Sequence, residues 1–178
     1  MGRSASRRSN RAVSAPKRDP INPTDETALE LVRRLAGARI AALGTLDPET
    51  GFPAVSRVTV LVEGGVPVVL VSDLSHHTKA LRADPRCSLL LGEPGPKGDP
   101  LTHPRVTLFT HATRVERNTP GHGGLRDAWL AAHPKAGLYI DFGDFAFWRL
   151  EPVRADLNGG FGKAYALTRE EWMAALAE

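Results

Sequence analysis

Ser72, Ser75, His77, Thr78 and Lys79 lie close together in the chain, where an apolar run ends and a short helix begins. Hydroxyls, an imidazole and a lysine in the first turn of a helix suit an anion. The terminus offers N–H groups with no helical acceptor and a partial positive charge. Phosphate binding is the chemistry they point to, and with it a phosphorylated cofactor. Arg57, alone among β-branched residues in SRVTV, must face water, a partner subunit or an anion, so edge exposure and ligand contact are equally open to it. The pair His76-His77 makes no metal face: neighbouring helical residues diverge by about 100°, and no second ligand follows at i+4. No metal is therefore expected. His103, His111, His122 and His133 are scattered, and no nucleophilic triad can be read from spacing, so no catalytic side chain is assigned. Gly159-Gly160-Phe161-Gly162 lacks the spacing of a dinucleotide fingerprint and the lysine and hydroxyl of a phosphate loop. It predicts a tight turn or a close backbone approach.

The elements that must position these residues run through 53–91. Two apolar strands flank the turn residues Glu63-Gly64-Gly65, the second ends at Ser72-Asp73, and a helix runs from near Ser75 to Asp84-Pro85 before a strand over 88–91. Upstream, Asn22 as N-cap, Pro23 at the first helical position and Gly37 at the end predict a helix with Ala28, Leu31, Val32 and Leu35 on one face. A hairpin follows, with strands over 39–46 and 52–62 and its loop over 47–51. The Gly- and Pro-rich stretch 92–104 reads as a long loop. Further strands are predicted over 105–117 and 145–157, the latter buried on both faces, with an amphipathic helix through Leu125 and Trp129 between them. A last helix opens with a capping box, Thr168 to Glu171, and packs through Trp172, Ala175 and Leu176. About six hairpin-linked strands without regular strand–helix alternation predict a mainly β antiparallel barrel with peripheral helices.

A chain of 178 residues suits one domain over 21–178. The single Cys87 excludes an internal disulfide and a cysteine-rich zinc site, and beside an apolar strand it reads as a buried, inert thiol in a reducing compartment. No apolar run approaches the roughly 20 residues that span a bilayer, and no secretory leader opens the chain, so a cytoplasmic protein away from membranes is expected. Residues 1–20 hold six basic side chains against Asp19, a net +5 within a formal total of +3, which leaves −2 on the rest. That stretch reads as a disordered, solvated basic tail rather than a transit peptide or myristoylation signal. The folded part is not basic, so nucleic acid is not an expected partner.

The succession ALGTLDPETGFPAVSRVTVLV, VPVVLVSDLSHHTKALRADPRCSLLLGE, DPLTHPRVTLFTHATRVER and DFAFWRLEPVRADLNGGFGKAYAL resembles the pyridoxamine 5′-phosphate oxidase-like flavin-binding split barrels. Within them it is most similar to the haem-utilisation (HugZ-like) branch, in order over about residues 21–167. The combination of SDLSHHTKAL with LNGGFGKA carries the specificity. The resemblance implies a six-stranded antiparallel Greek-key split barrel, and a homodimer with FMN held across the subunit interface. It places Arg57 and Val58 along the flavin and ribityl chain, Ser72 near the ribityl or phosphate, Thr78 and Lys79 at the phosphate, His77 nearby, and Arg105 at the phosphate or the interface. Longer haem-utilisation proteins carry a further C-terminal domain that contributes to haem binding, whereas this sequence closes after one more helix. The substrate-binding histidine and arginine pattern of the true oxidases is not matched either. The expected function is therefore that of an FMN-dependent oxidoreductase acting on an unidentified small substrate. The alternatives are a haem-binding or haem-degrading protein, with haem in place of FMN, and a non-catalytic flavin-barrel binding module.

Overall fold

The computed structural model describes residues 21–177, so the tail expected over 1–20 lies outside them. The chain begins with α1 (Glu26–Ala36) and the hairpin β1 (Ile40–Leu46) and β2 (Pro53–Thr59). It continues through β3 (Leu61–Glu63), β4 (Val66–Ser72), α2 (His76–Ala83), β5 (Arg86–Leu91) and β6 (Arg105–Arg114). It closes with α3 (His122–Ala132), β7 (Phe145–Asn158), β8 (Ala164–Thr168) and α4 (Arg169–Ala175). All the strands join one antiparallel sheet in the order β2-β1-β5-β6-β7-β4-β3, with β8 on β7. The sheet curls so that β2 comes beside β4 without a ladder between them, which is the split of the barrel.

The expected mainly β split barrel with peripheral helices is what forms, but with eight strands among the described residues in place of six. The strand predicted over 52–62 divides at Val60 into β2, which stays with β1 up to a last bond from Val60 N–H to the Arg39 carbonyl at 3.0 Å, and β3, which pairs with β4. Residues 164–168, given no strand in the sequence reading, pair along β7 from Ala164↔Asn158 to Thr168↔Arg154. The glycine turn that ends β7 is thus the tip of a hairpin. At the first helix the cap is Asp25, not Asn22: the Asp25 carboxylate accepts from Ala28 N at 2.9 Å. Asn22 instead bonds across to Ala164 and Gly162. The strand expected to reach 117 stops at Arg114, and Arg117 turns its guanidinium onto the carbonyls of Ile140, Asp141, Phe142 and Phe145.

Alternation along the strands sets two cores. One lies inside the barrel, where Leu43, Leu89, Leu108, Leu150 and Leu157 meet Val32 of α1 and Trp172 of α4. The second lies on the other face of β4 and β7, where Val68, Leu70 and Phe147 are covered by Leu125 and Trp129 of α3. β7 therefore buries both faces in its first half, as its unbroken apolar run requires. The capping box at Thr168 forms as the sequence predicts, and Trp172 is buried with its indole N–H on Gly65 O at 2.7 Å.

Candidate functional site

The corner where β4 runs into α2 gathers most of the residues singled out in the sequence. β4 ends at Ser72, and the chain turns because Ser75 N–H reaches back to Ser72 O at 3.0 Å. Ser75 then takes the extended N-cap conformation without spending its hydroxyl on a capping bond. Thr78 is fully buried, and its hydroxyl donates to Ser72 O at 2.8 Å. Ser72 in turn donates to the Asp144 carboxylate at 2.6 Å and accepts from Leu74 N. Two of the predicted phosphate hydroxyls thus hold the turn together. What remains open at the helix start is the Ser75 hydroxyl, the first-turn N–H groups and the exposed Lys79, which makes no ion pair with any described residue.

The two histidines of this helix diverge, as adjacent helical positions must. His76 Nε2 lies 2.6 Å from the Asp47 carboxylate and ties α2 to the β1–β2 turn. The Thr50 hydroxyl, the backbone there and His76 hold Asp47 down to a pKa of about 2. His77 is half-buried, its Nε2 has no hydrogen-bond partner among the described residues, and burial, followed by its neighbour His76, pushes its pKa below the ordinary range. The lone Cys87 is buried against Thr110, and burial raises its thiol.

Arg57 stands on β2, the strand that flanks β4 across the split, and points to the outer face of the sheet. It is paired across the ladder with Ala42, and Ala42 with Leu90. A groove of about 320 Å³ lies on this face, floored by Ile40 and Ala42 and walled by Val55, Arg57 and Glu93. Arg57 has no ion pair among the described residues, so its charge is available to a ligand. Val58, next to it, points inward and is buried in the core, so only its backbone could face a ligand.

Arg105 stands apart from this corner. It opens β6 on the same outer face, separated from Arg57 by β1 and β5, and donates from Nη1 to Leu101 O at 2.9 Å and His103 O at 3.3 Å. It shapes the loop over 92–104. That loop and the β7–β8 turn bound a second cleft; Gly159-Gly160-Phe161-Gly162 form there the tight turn and close backbone approach that the sequence predicts, though the sequence assigned them no ligand. Its visible sign was an aromatic residue, Phe161, set between glycines.

The family model described as CREG, beta-barrel matches residues 22–174. The chloroplastic heme oxygenase HOZ of Arabidopsis thaliana is 35% identical over 147 residues, 79% of this chain and 44% of that protein, so the chain spans less than half of the curated relative's length. A heme binding protein from Mycobacterium smegmatis is 36% identical, with a TM-score of 0.76 over 87% of this chain and 62% of that one. A protein of the pyridoxinephosphate oxidase family from Clostridium acetobutylicum, 15% identical, shares the fold with a TM-score of 0.64 over 84% of this chain and 99% of its own.

Proposed function

The chain belongs to the CREG β-barrel family, and from that premise we propose that it is a haem-binding protein built on the flavin-type split barrel. The observation that carries this reading is the likeness, above one-third identity, to two proteins that are named for haem. The donor set supports it. The outer-face groove is mostly apolar with the unpaired Arg57 at its wall, which suits a flat ring with a propionate, while the Ser72 and Thr78 hydroxyls are already committed inside the protein. Bound haem would supply the redox chemistry. This chain's part is to hold the ring, pair its carboxylates and exclude water. Titrating the full chain with haemin tests it: a saturable Soret band at one haem per chain, weakened about tenfold by Arg57→Ala, is the expected result. A wild-type chain that leaves the spectrum of free haemin unchanged overturns it.

A second reading, an FMN-dependent oxidoreductase acting on a small substrate, is favoured by the free hydroxyl of Ser75 and the unpaired Lys79 at the start of α2. There a phosphate would meet N–H groups and a lysine, with Arg57 and the Val58 backbone beside the ring. Under this reading Lys79→Ala weakens FMN about tenfold and leaves riboflavin, which lacks the phosphate, nearly unchanged. Equal losses for both ligands would remove the phosphate from this helix.

In either reading the protein works as a homodimer through the outer sheet face. Val55 is 74% exposed there and Ile40, Leu46 and Leu90 are open beside it, more apolar surface than a lone barrel leaves to water on one face. Among the described residues no helix is long and apolar enough to cross a membrane.

A further inference from the structure

The long loop over 92–104 is closed at two places. At its base a Cβ on Gly92 would come within 2.5 Å of the Pro104 carbonyl oxygen and 3.0 Å of Leu35 of α1, so the two ends of the loop lie against each other there. Further out, the arms are joined by the side chain of His103. Gly95 N–H donates to its Nδ1 at 2.8 Å, and its Nε2 lies 2.9 Å from the Lys97 carbonyl oxygen. The second arm otherwise bonds to itself: Thr102 N–H and His103 N–H return to the carbonyls of Asp99 and Pro100, at 3.0 and 3.3 Å. Among the described residues no backbone hydrogen bond joins 93–98 to 99–104, so the tie between the arms runs through this imidazole.

A backbone N–H can only donate, so Nδ1 is its acceptor and the neutral ring carries its proton on Nε2, which donates to Lys97 O. Both nitrogens are thereby used, in a form that leaves no site for a second proton. A proton on Nδ1 sets donor against donor at Gly95 and ends that bond. The surroundings offer such a charge little compensation. Of the loop's carboxylates, Asp99 accepts from Leu101 N at 2.9 Å and Glu93 stands at the wall of the Arg57 groove. The cations are Lys97 in the loop, Arg105 of β6, which donates to His103 O itself at 3.3 Å, and Lys163 on the β7–β8 turn. Arg57 lies across the groove from Glu93, and α1 ends in Arg33 and Arg34.

The loop is a wall shared by two hollows: its first arm supplies Glu93 and Pro94 to the Arg57 groove, its second Asp99, Leu101 and Thr102 to the cleft beside the β7–β8 turn. Pro94 and Pro96 each fix their φ, so the first arm is a short stiff piece once it is untied. We infer that His103 is a pH-sensitive latch: when neutral it fastens the first arm to the second and holds the wall of the Arg57 groove in place, and when protonated it releases that wall. The inference goes beyond the choice of ligand for the groove, and its test needs none.

The full chain is followed by ¹⁵N NMR at about pH 8 and about pH 5, the two ends of the range in which histidines titrate. At the upper pH the His103 ring should show the Nε2–H tautomer, and Gly95 N–H should exchange about three- to tenfold more slowly than a free amide, the effect of one hydrogen bond. At the lower pH that protection should vanish and the heteronuclear NOE of Glu93 and Lys97 should fall, while the core amides of β1 and β6 stay protected. His103→Phe should behave at both pH values as the wild type does in acid. His103→Asn, which keeps an acceptor but cannot titrate, should give the same Gly95 protection at both. Gly95→Ala, whose new methyl would come within 2.9 Å of ring Cε1 and push it aside, should loosen Lys97 at the upper pH with the imidazole still present. A proton on Nδ1 at the upper pH, or Gly95 protection unchanged in acid, would overturn the latch. So would a pH response of equal size in His103→Asn, or loss of core protection along with that of Gly95. Loss of the Gly95 bond with Glu93 and Lys97 as rigid as before would overturn the release of the wall.

Discussion

His77 shows how a single side chain can link the site to stability. Its imidazole is half-buried beside His76, and burial first, then that neighbour, favours the neutral form. In the unfolded chain the group takes its proton near the ordinary value of 6.5, whereas in the fold it resists to lower pH. Between those values the unfolded state binds more protons, so stability falls as pH is lowered below about 6.5 and is regained above it. Thermal unfolding from pH 7.5 to 5.5 should show this decline in the wild type and a flatter profile in His77→Gln; an identical decline in both would assign the titration to another group. The sequence made the cluster of Ser72, Ser75, His77, Thr78 and Lys79 legible because they are neighbours in the chain. It could not tell which hydroxyls were free, because the acceptor for Ser72 is Asp144, 72 residues away. Buried Cys87 was legible from its apolar neighbours; the inward aim of Val58 beside outward Arg57 follows from strand alternation once the core face is known.

Among the elements, those with local punctuation were legible and those defined by distant pairing were not. Thr168 and Glu171 bond reciprocally to start α4, a pattern visible within four residues of sequence. Thr168→Ala should cost about 1 kcal/mol and lower the melting temperature by about 2 to 4 °C for a chain of this size. An unchanged melting temperature would show that Trp172, locked to Gly65, holds the helix without its cap. The break at Val60 has no such sign, since it is where the chain changes partner, from β1 before it to β4 after it. β8 escaped notice for a related reason: AYALT is short, and its partner is met only after the glycine turn folds back. At that turn Gly160→Ala should destabilise the protein by roughly 1 to 3 kcal/mol, because the new methyl meets the Thr102 carbonyl in a backbone region closed to alanine. A neutral outcome in chemical denaturation would mean that the 92–104 loop can yield.

For the whole molecule, the proposed dimer is tested by charge. Val55→Asp with Leu90→Asp adds two carboxylates to the outer face without touching the barrel core, so light scattering should change from twice the chain mass to the chain mass while circular dichroism stays constant. A wild-type monomer at micromolar concentration would end the proposal. Barrel class and helix placement were readable because apolar periodicity sets them; the number of strands and the closure at β2 and β4 depend on long-range pairing that no local pattern encodes. One strand has a kinetic consequence. β7 is bonded to β6 along most of its length, to β4 over its first half and to β8 over its last, and its adjacent residues Phe147 and Trp148 belong to different cores. Fraying of β8 or of the β3–β4 edge leaves β7 from Trp148 to Asn158, apart from Val153, paired with β6, so opening at either edge alone does not release that stretch. In native-state hydrogen exchange, the amides of Leu150 and Ala155 should therefore exchange at the rate of global unfolding, the two cores melting as one cooperative unit around a shared spine.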